Sequence, residues 1–311
     1  MKILVTGGAG FIASHIVDRY LELGHQVAVI DNLSTGRREN LNAGASFYEV
    51  DITDGDRVAE VFAAERPQIV NHHAAQMDVR RSVREPIFDA RTNVIGSLNV
   101  IGSALEVGVE KIIYASTGGA IYGELDYSPA DEQHPIRPLS PYGISKHAVE
   151  HYLYLYQHLE GLNFTVLRYA NVYGPRQNPH GEAGVVAIFG KQMLAGQQPT
   201  IFGDGSDTRD YVFVSDVVAA NQLALEAGGG QICNISTGVA TSVQEIFDNV
   251  AEASGYRGDP RYAPPRPGDL RHNALDNTKA QQVLGWAPEV SLSEGIALTV
   301  QYLRDSGLQS N

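Results

Sequence analysis

The 311-residue chain is 43% hydrophobic with no low-complexity tract, enough to bury the core of one large domain or two closely packed ones. Its 23 basic and 36 acidic residues give a net charge of -13, which argues against nucleic acid or an anionic membrane as partner. Cys233 is the only cysteine, so no intrachain disulfide can form, and no apolar run is long enough to span a bilayer. With no signal-peptide pattern over residues 1–10, the expectation is a soluble, cytoplasmic protein.

Short β-rich apolar runs predict strands over 2–5, 26–30, 47–50, 69–72 and 111–115. Amphipathic patterns between them predict helices over 11–23, 54–64, near 94–106 and from about 141 to 159. Ser140 before Pro141 supplies an N-cap followed by proline at the first helical position. This alternation predicts an α/β fold with a doubly wound parallel sheet covered on both faces. From Asn171 the texture turns to Pro, Gly and Asn, with helices expected over 243–253 and 292–303. A first domain is therefore placed over 1–170, with segments near 211–237 returning to it. A smaller C-terminal α/β domain takes 171–210 and 238–311.

The glycines of Val5-Thr6-Gly7-Gly8-Ala9-Gly10-Phe11-Ile12-Ala13 fall between the first strand and the first helix. There, backbone N–H groups can meet a pyrophosphate. Gly7 permits the tight turn, Gly10 the close approach, and Ala13 the packing of helix on strand. Asp31, ending the second strand, can accept both ribose hydroxyls and repel a 2′-phosphate, which favours NAD. Arg37 and Arg38 keep NADP open. Asp51 and Ile52 end the third strand, where they can hold an adenine edge.

Tyr142 and Lys146 lie four residues apart, so a helix projects both from one face. Tyrosine titrates near pH 10, and its use as a base near neutrality costs roughly 4 kcal/mol. One lysine charge at about 4 Å supplies roughly that much at an effective dielectric of about 20. The pair can thus oxidise an alcohol beside a nicotinamide.

Together these segments resemble the extended short-chain dehydrogenase/reductase family and, within it, the nucleotide-sugar 4-epimerases. The likeness covers nearly the whole chain: TGGAGFIASH, DNLSTG at 31–36, HHAAQ at 72–76, NVIGS at 93–97, YASTGGAIYG at 114–123, SPYGISK at 140–146, RYANVYGPRQ at 168–177, IFGDGSDTRDYVFVSDV at 201–217 and RPGD at 266–269. The resemblance implies a Rossmann domain holding NAD tightly, a smaller domain for a UDP-sugar, and a homodimer packed through two long helices. It places the cofactor on Gly7, Gly10, Phe11, Ile12, Asp31, Asn32, Ser34, Thr35, Gly36, Asp51, Ile52, His73, Ala74, Ala75, Gln76, Asn93, Tyr142, Lys146 and Tyr169. It assigns the substrate to Thr117, Tyr142, Asn171, Val185, Val186, Arg209, Arg266, Asp269 and Asn273. The two arginines answer the need of an acidic protein for a diphosphate clamp.

Family members carry a catalytic hydroxyl after the fifth strand. Counted back from Tyr122-Gly123 that position falls on Gly118, and counted back from Tyr142 it falls on Thr117. Thr117 is the expected residue, with Ser116 supporting the turn or the nicotinamide. The implied reaction is 4-epimerisation of a UDP-hexose, UDP-galactose or UDP-glucose, through a transient 4-keto sugar.

Alternative substrates are UDP-glucuronate, met by Arg80, Arg81 or Arg176, and UDP-N-acetylglucosamine, admitted past a small Asn273. A 4,6-dehydratase is disfavoured because Gly118-Gly119 stand where an acid pair is needed. A non-catalytic NAD(P)-binding redox sensor is the reading from another class. His147 and His151 have the one-turn spacing of two metal ligands but no acidic pattern completes a site, so no metal is expected. No G-x-S-x-G elbow supports a serine hydrolase.

Overall fold

The computed structural model describes residues 1–179, 184–265 and 271–307. Among them, seven strands form one sheet: β1 (Lys2–Thr6), β2 (Gln26–Asp31), β3 (Ser46–Glu49), β4 (Ile69–His72), β5 (Lys111–Thr117), β6 (Asn163–Tyr169) and β7 (Gln231–Ile235). Their order is β3-β2-β1-β4-β5-β6-β7 and every pairing is parallel. The order of strand addition reverses between β1 and β4, and the crevice for a ligand opens beyond their C-terminal ends.

Alternation along each strand divides the core in two. Ile3, Val5, Ile113 and Leu167 face one cluster with Ile16, Tyr20 and Val217. Leu4, Ile112 and Val166 face the other, with Phe62, Ile101 and Leu153. The first helix, α1 (Phe11–Glu22), covers the former face with Val214–Leu223, and Gly55–Glu65, Gly96–Val107 and Pro141–Glu160 cover the latter.

Ser140 caps Pro141–Glu160 by accepting from Gly143 N at 3.2 Å, with proline at the first turn. The fifth strand runs two residues past its expected end, to Thr117. A larger departure concerns the helix expected near 94–106. Helical structure starts earlier, at Pro86–Ala90, and passes through a π-helical turn, Arg91–Ile95, before Gly96–Val107. Hydrophobic periodicity at 3.6 residues does not report a single π turn, whose i→i+5 bonds insert one residue into the helix.

A third cluster, with Phe189, Met193, Ile201, Phe247, Ile296 and Val300, lies among Val185–Leu194, Val243–Ser254 and Leu292–Asp305. Around it Asn171–Tyr173 pairs with Tyr211–Phe213, and Thr208–Arg209 with Thr241–Ser242.

Candidate active site

Gly7 adopts φ +73°, and a Cβ there would come within 2.8 Å of Ala74 N. A Cβ on Gly8 would lie 2.7 Å from Val29, and one on Gly10 would lie 3.0 Å from the Gly7 carbonyl. The turn is therefore bare backbone at the start of α1, where no side chain among the described residues caps Gly10. The leading amides of α1, including those of Phe11 and Ile12, are left for an anionic ligand.

Asp31 is 7% exposed, accepting from Ala9 N at 3.0 Å and Leu33 N at 2.8 Å. Burial still raises its carboxyl above the usual range. Gly36 packs on it so closely that a Cβ would meet both carboxylate oxygens at 2.9 Å. Asn32 donates to Asp51 Oδ2 at 2.7 Å and accepts from Ser34 N, so 31–36 forms one connected rim in which Ser34 and Thr35 stay exposed. Ile52 is buried against Gly96. Arg37 pairs with Glu39 and Arg38 with Glu49, which engages the two charges that kept NADP open. A glycine cradle, a helix terminus and a carboxylate at the end of β2 fit a dinucleotide.

Thr6 joins β1 to β4: its hydroxyl contacts His72 Nδ1 at 2.6 Å and accepts from His73 N and Ala74 N. Sequence spacing does not single out Thr6, whose one signal is its place at the strand end before the glycines. His73 stacks on Tyr169, with Nε2 3.0 Å from the tyrosine hydroxyl, which also accepts from Asn221. Burial, and then the Lys146 charge, push His73 down to about 3, so it is neutral. Ala75 and Gln76 follow on the same loop, and Gln76 N donates to Asn93 Oδ1 at 2.7 Å. The Asn93 amide donates to Gln76 O, Asp89 Oδ1 and Ser145 Oγ. Asn93 thus spends its hydrogen bonds inside the protein.

The Thr117 side chain acts on Tyr142, favouring its ionised form, while Ser116 donates to Glu150 Oε1 at 2.5 Å. The structure separates the two hydroxyls, with Thr117 on the tyrosine and Ser116 on a buried ion pair. A Cβ at 118 would lie 2.2 Å from Leu275 Cδ1, so a side chain there would force Leu275 to shift. Burial pushes Tyr142 up to about 12, partly offset by the Thr117 bond, with Asp89 adding to the rise. Burial pushes Lys146 down to about 7, against the pull of Glu150 and Asp89. Its ammonium lies 4.4 Å from the centre of the Tyr114 ring. The expected lowering of the tyrosine by the lysine charge is not what dominates here: both groups are buried, and desolvation outweighs the Thr117 contribution at Tyr142 and the carboxylates at Lys146.

Glu150 lies behind the pair. Burial alone would raise its carboxyl, but bonds from His147 and Arg168 outweigh that and hold it at about 2. Arg168 clasps it through Nε at 3.0 Å and Nη2 at 2.6 Å. Neither Glu150 nor Arg168 was legible as part of the site, because each reads as an ordinary helix or strand charge. His147 and His151 approach at 3.0 Å, and no group of three metal-ligating side chains occurs among the described residues.

On the substrate side, Asn171 donates its backbone N–H and its side chain to Asp210 O, and Gly119 lies between Asn171 and Thr117. Arg209 donates to Thr208 O at 2.8 Å and makes no ion pair among the described residues. Val185 and Val186 open a helix whose N-cap, Gly184, carries no side-chain cap. The Val186 side chain is buried in the third cluster. Asn273 is 1% exposed, its amide turned to Gly118 O at 3.4 Å. Arg266 and Asp269 lie outside the described residues. Arg81 pairs with Glu85 and Arg176 with Asp18, so neither is free for a sugar carboxylate.

The fold and site define a dinucleotide-dependent sugar-modifying enzyme, and residues 3–236 match the NAD dependent epimerase/dehydratase family, to which the chain belongs. It is 50% identical over 311 residues to a UDP-glucose 4-epimerase of Mycolicibacterium smegmatis, covering 98% of this chain and 99% of that protein. The UDP-glucose 4-epimerase of Thermotoga maritima, solved with UDP-glucose, matches with a TM-score of 0.97 at 54% identity over 98% of this chain and 99% of the other. The Thermus thermophilus UDP-glucose 4-epimerase, solved with NAD, matches with a TM-score of 0.93 at 48% identity and the same coverage.

Proposed function

We propose that the chain is a UDP-glucose 4-epimerase that interconverts UDP-galactose and UDP-glucose. The observation that carries this reading is the pairing of Tyr142 and Lys146, both buried and one helical turn apart, with Thr117 favouring the tyrosine's ionised form and the glycine turn built as a dinucleotide cradle. NAD, held by the Gly7–Gly10 turn and Asp31, would supply reversible hydride acceptance at the sugar C4, leaving no net redox change. Tyr142, as phenolate, takes the proton of the 4-hydroxyl, and Thr117 bridges the sugar oxygen and the phenol. The 4-keto sugar turns over in the pocket, and Tyr142 hands the proton back on the other face. Lys146 supplies positive charge beneath the phenolate.

Asn171, Arg209, the amides at Val185 and Val186, and beyond them Arg266 and Asp269, would hold the UDP moiety. In this reading residues 1–170, with 211–237, form the cofactor domain and 171–210 with 238–311 the substrate domain. A homodimer in the cytoplasm, serving galactose metabolism, completes it. The dimer is supported by Ile87, Ile95, Tyr154 and Leu159, which are 79%, 51%, 67% and 61% exposed on neighbouring helices.

Purified protein given UDP-galactose and no added reductant should yield UDP-glucose at equilibrium. No UDP-glucose from UDP-galactose would sink the assignment.

A further inference from the structure

Asp89 is 1% exposed and sits one turn before Asn93, where the helix becomes π-helical. Its Oδ1 accepts from Gln76 Nε2 at 3.0 Å and Asn93 Nδ2 at 3.1 Å. Its Oδ2 is buried with no hydrogen-bond partner among the described residues. Asn93 Nδ2 also reaches Ser145 Oγ at 3.1 Å, and that hydroxyl bonds the Tyr142 carbonyl at 3.0 Å. Asp89 is thereby linked, through two side chains, to the turn of helix between Tyr142 and Lys146.

A buried carboxylate that leaves an oxygen unpaired is costly unless a nearby charge uses it. The groups facing Lys146 are Glu150 on its own helix, Tyr114 on β5, His72 and His73 at the end of β4, and Asp89. Glu150 is already engaged by Arg168, His147 and Ser116. Both histidines are held neutral by burial. That leaves Asp89 as the carboxylate with charge to spare, and its field acts on Lys146, Tyr142 and Tyr114.

We propose that Asp89 is a positioning residue for the catalytic pair: one oxygen anchors the Asn93 amide that braces Ser145, and the other, buried and unpaired, places negative charge where it favours the Lys146 ammonium. The inference rests on the epimerase reading for its consequence in turnover, but not for the electrostatic coupling itself. The same negative charge disfavours the Tyr142 phenolate, so Asp89 moves the titration of both groups toward higher pH, at Lys146 against the larger effect of burial.

Asp89→Asn removes the charge and keeps an acceptor for the two amides. With UDP-galactose as substrate, both limbs of the kcat/KM profile should move to lower pH by about half a unit or more. Asp89→Glu, which keeps the charge, should leave both limbs at the wild-type pH. A lowered maximum with unmoved limbs would mean a structural brace only and would overturn the proposal, as would an unchanged profile.

Should Asp89→Asn not fold, Asp89→Ser removes the same charge and leaves room for water at the amides. A second readout is the phenolate absorbance titration, taken as the difference between proteins with and without Tyr142→Phe. The Tyr142 step should fall to lower pH when the charge at 89 is removed, and an unmoved step rejects the proposal. This titration reads even if no epimerisation is found, so failure of the functional assignment and failure of the Asp89 role give different results.

Discussion

Ser116 donates its hydroxyl to Glu150 Oε1 at 2.5 Å, away from the neighbouring Thr117, whose side chain acts on Tyr142. Adjacent strand residues point to opposite faces, so two neighbouring hydroxyls serve different purposes. Thr117→Ala should lower kcat about 10²-fold with little loss of stability, since one oriented hydrogen bond at the reacting oxygen is removed. Ser116→Ala should cost about 1–3 kcal/mol of stability and leave kcat nearly intact. Steady-state kinetics and denaturant melts of the two variants check this, and the reverse pattern would reassign the hydroxyl.

Tyr142→Phe should lose about 10³-fold in kcat while retaining nicotinamide, whose ultraviolet absorbance is read on the purified protein. Survival of turnover in this variant would remove tyrosine from the mechanism.

The buried Glu150–Arg168 pair should make Glu150→Gln destabilising by about 3–5 kcal/mol, because an uncompensated guanidinium remains. The native Glu150 carboxyl is held at about 2, below its unfolded value. Its contribution is therefore complete above about pH 4.5 and is lost as pH falls through that value toward about 2. Urea melts of wild type and Glu150→Gln should converge on acidification.

Lys146 behaves in the opposite sense. Its native value is about 7, below the 10.5 of an unperturbed lysine, so the unfolded chain binds the proton more tightly. Stability should rise with pH between those two values as the penalty for burying the ammonium is relieved. Lys146→Met should be more stable than wild type at pH 6, by an amount that shrinks toward pH 10, while turnover falls at both. A stability gap independent of pH would show that the buried lysine is not the cause.

For the surface, Ile87→Glu with Leu159→Arg should convert a dimer to a monomer in sedimentation velocity, because two exposed apolar side chains on adjoining helices would no longer bury against a second copy.

The sequence by itself determined the glycine turn, the Tyr142–Lys146 pair and five strands of the sheet, all but β6 and β7. Each depends on interactions within about a turn of helix or a strand's length: alternating apolar residues, Ser140 as cap, and a four-residue spacing that puts two side chains on one face. Only the tertiary structure decided between the two hydroxyls, because Ser116 is claimed by Glu150, itself paired with Arg168 from another strand. It alone showed that Lys146 and Tyr142 are both shifted by burial, and that Glu150, Arg168 and Asp89 surround them. A charge on a strand or helix carries no local mark of what will desolvate it. That is set by the elements packed against it, here β5, β6 and the π turn at Arg91–Ile95.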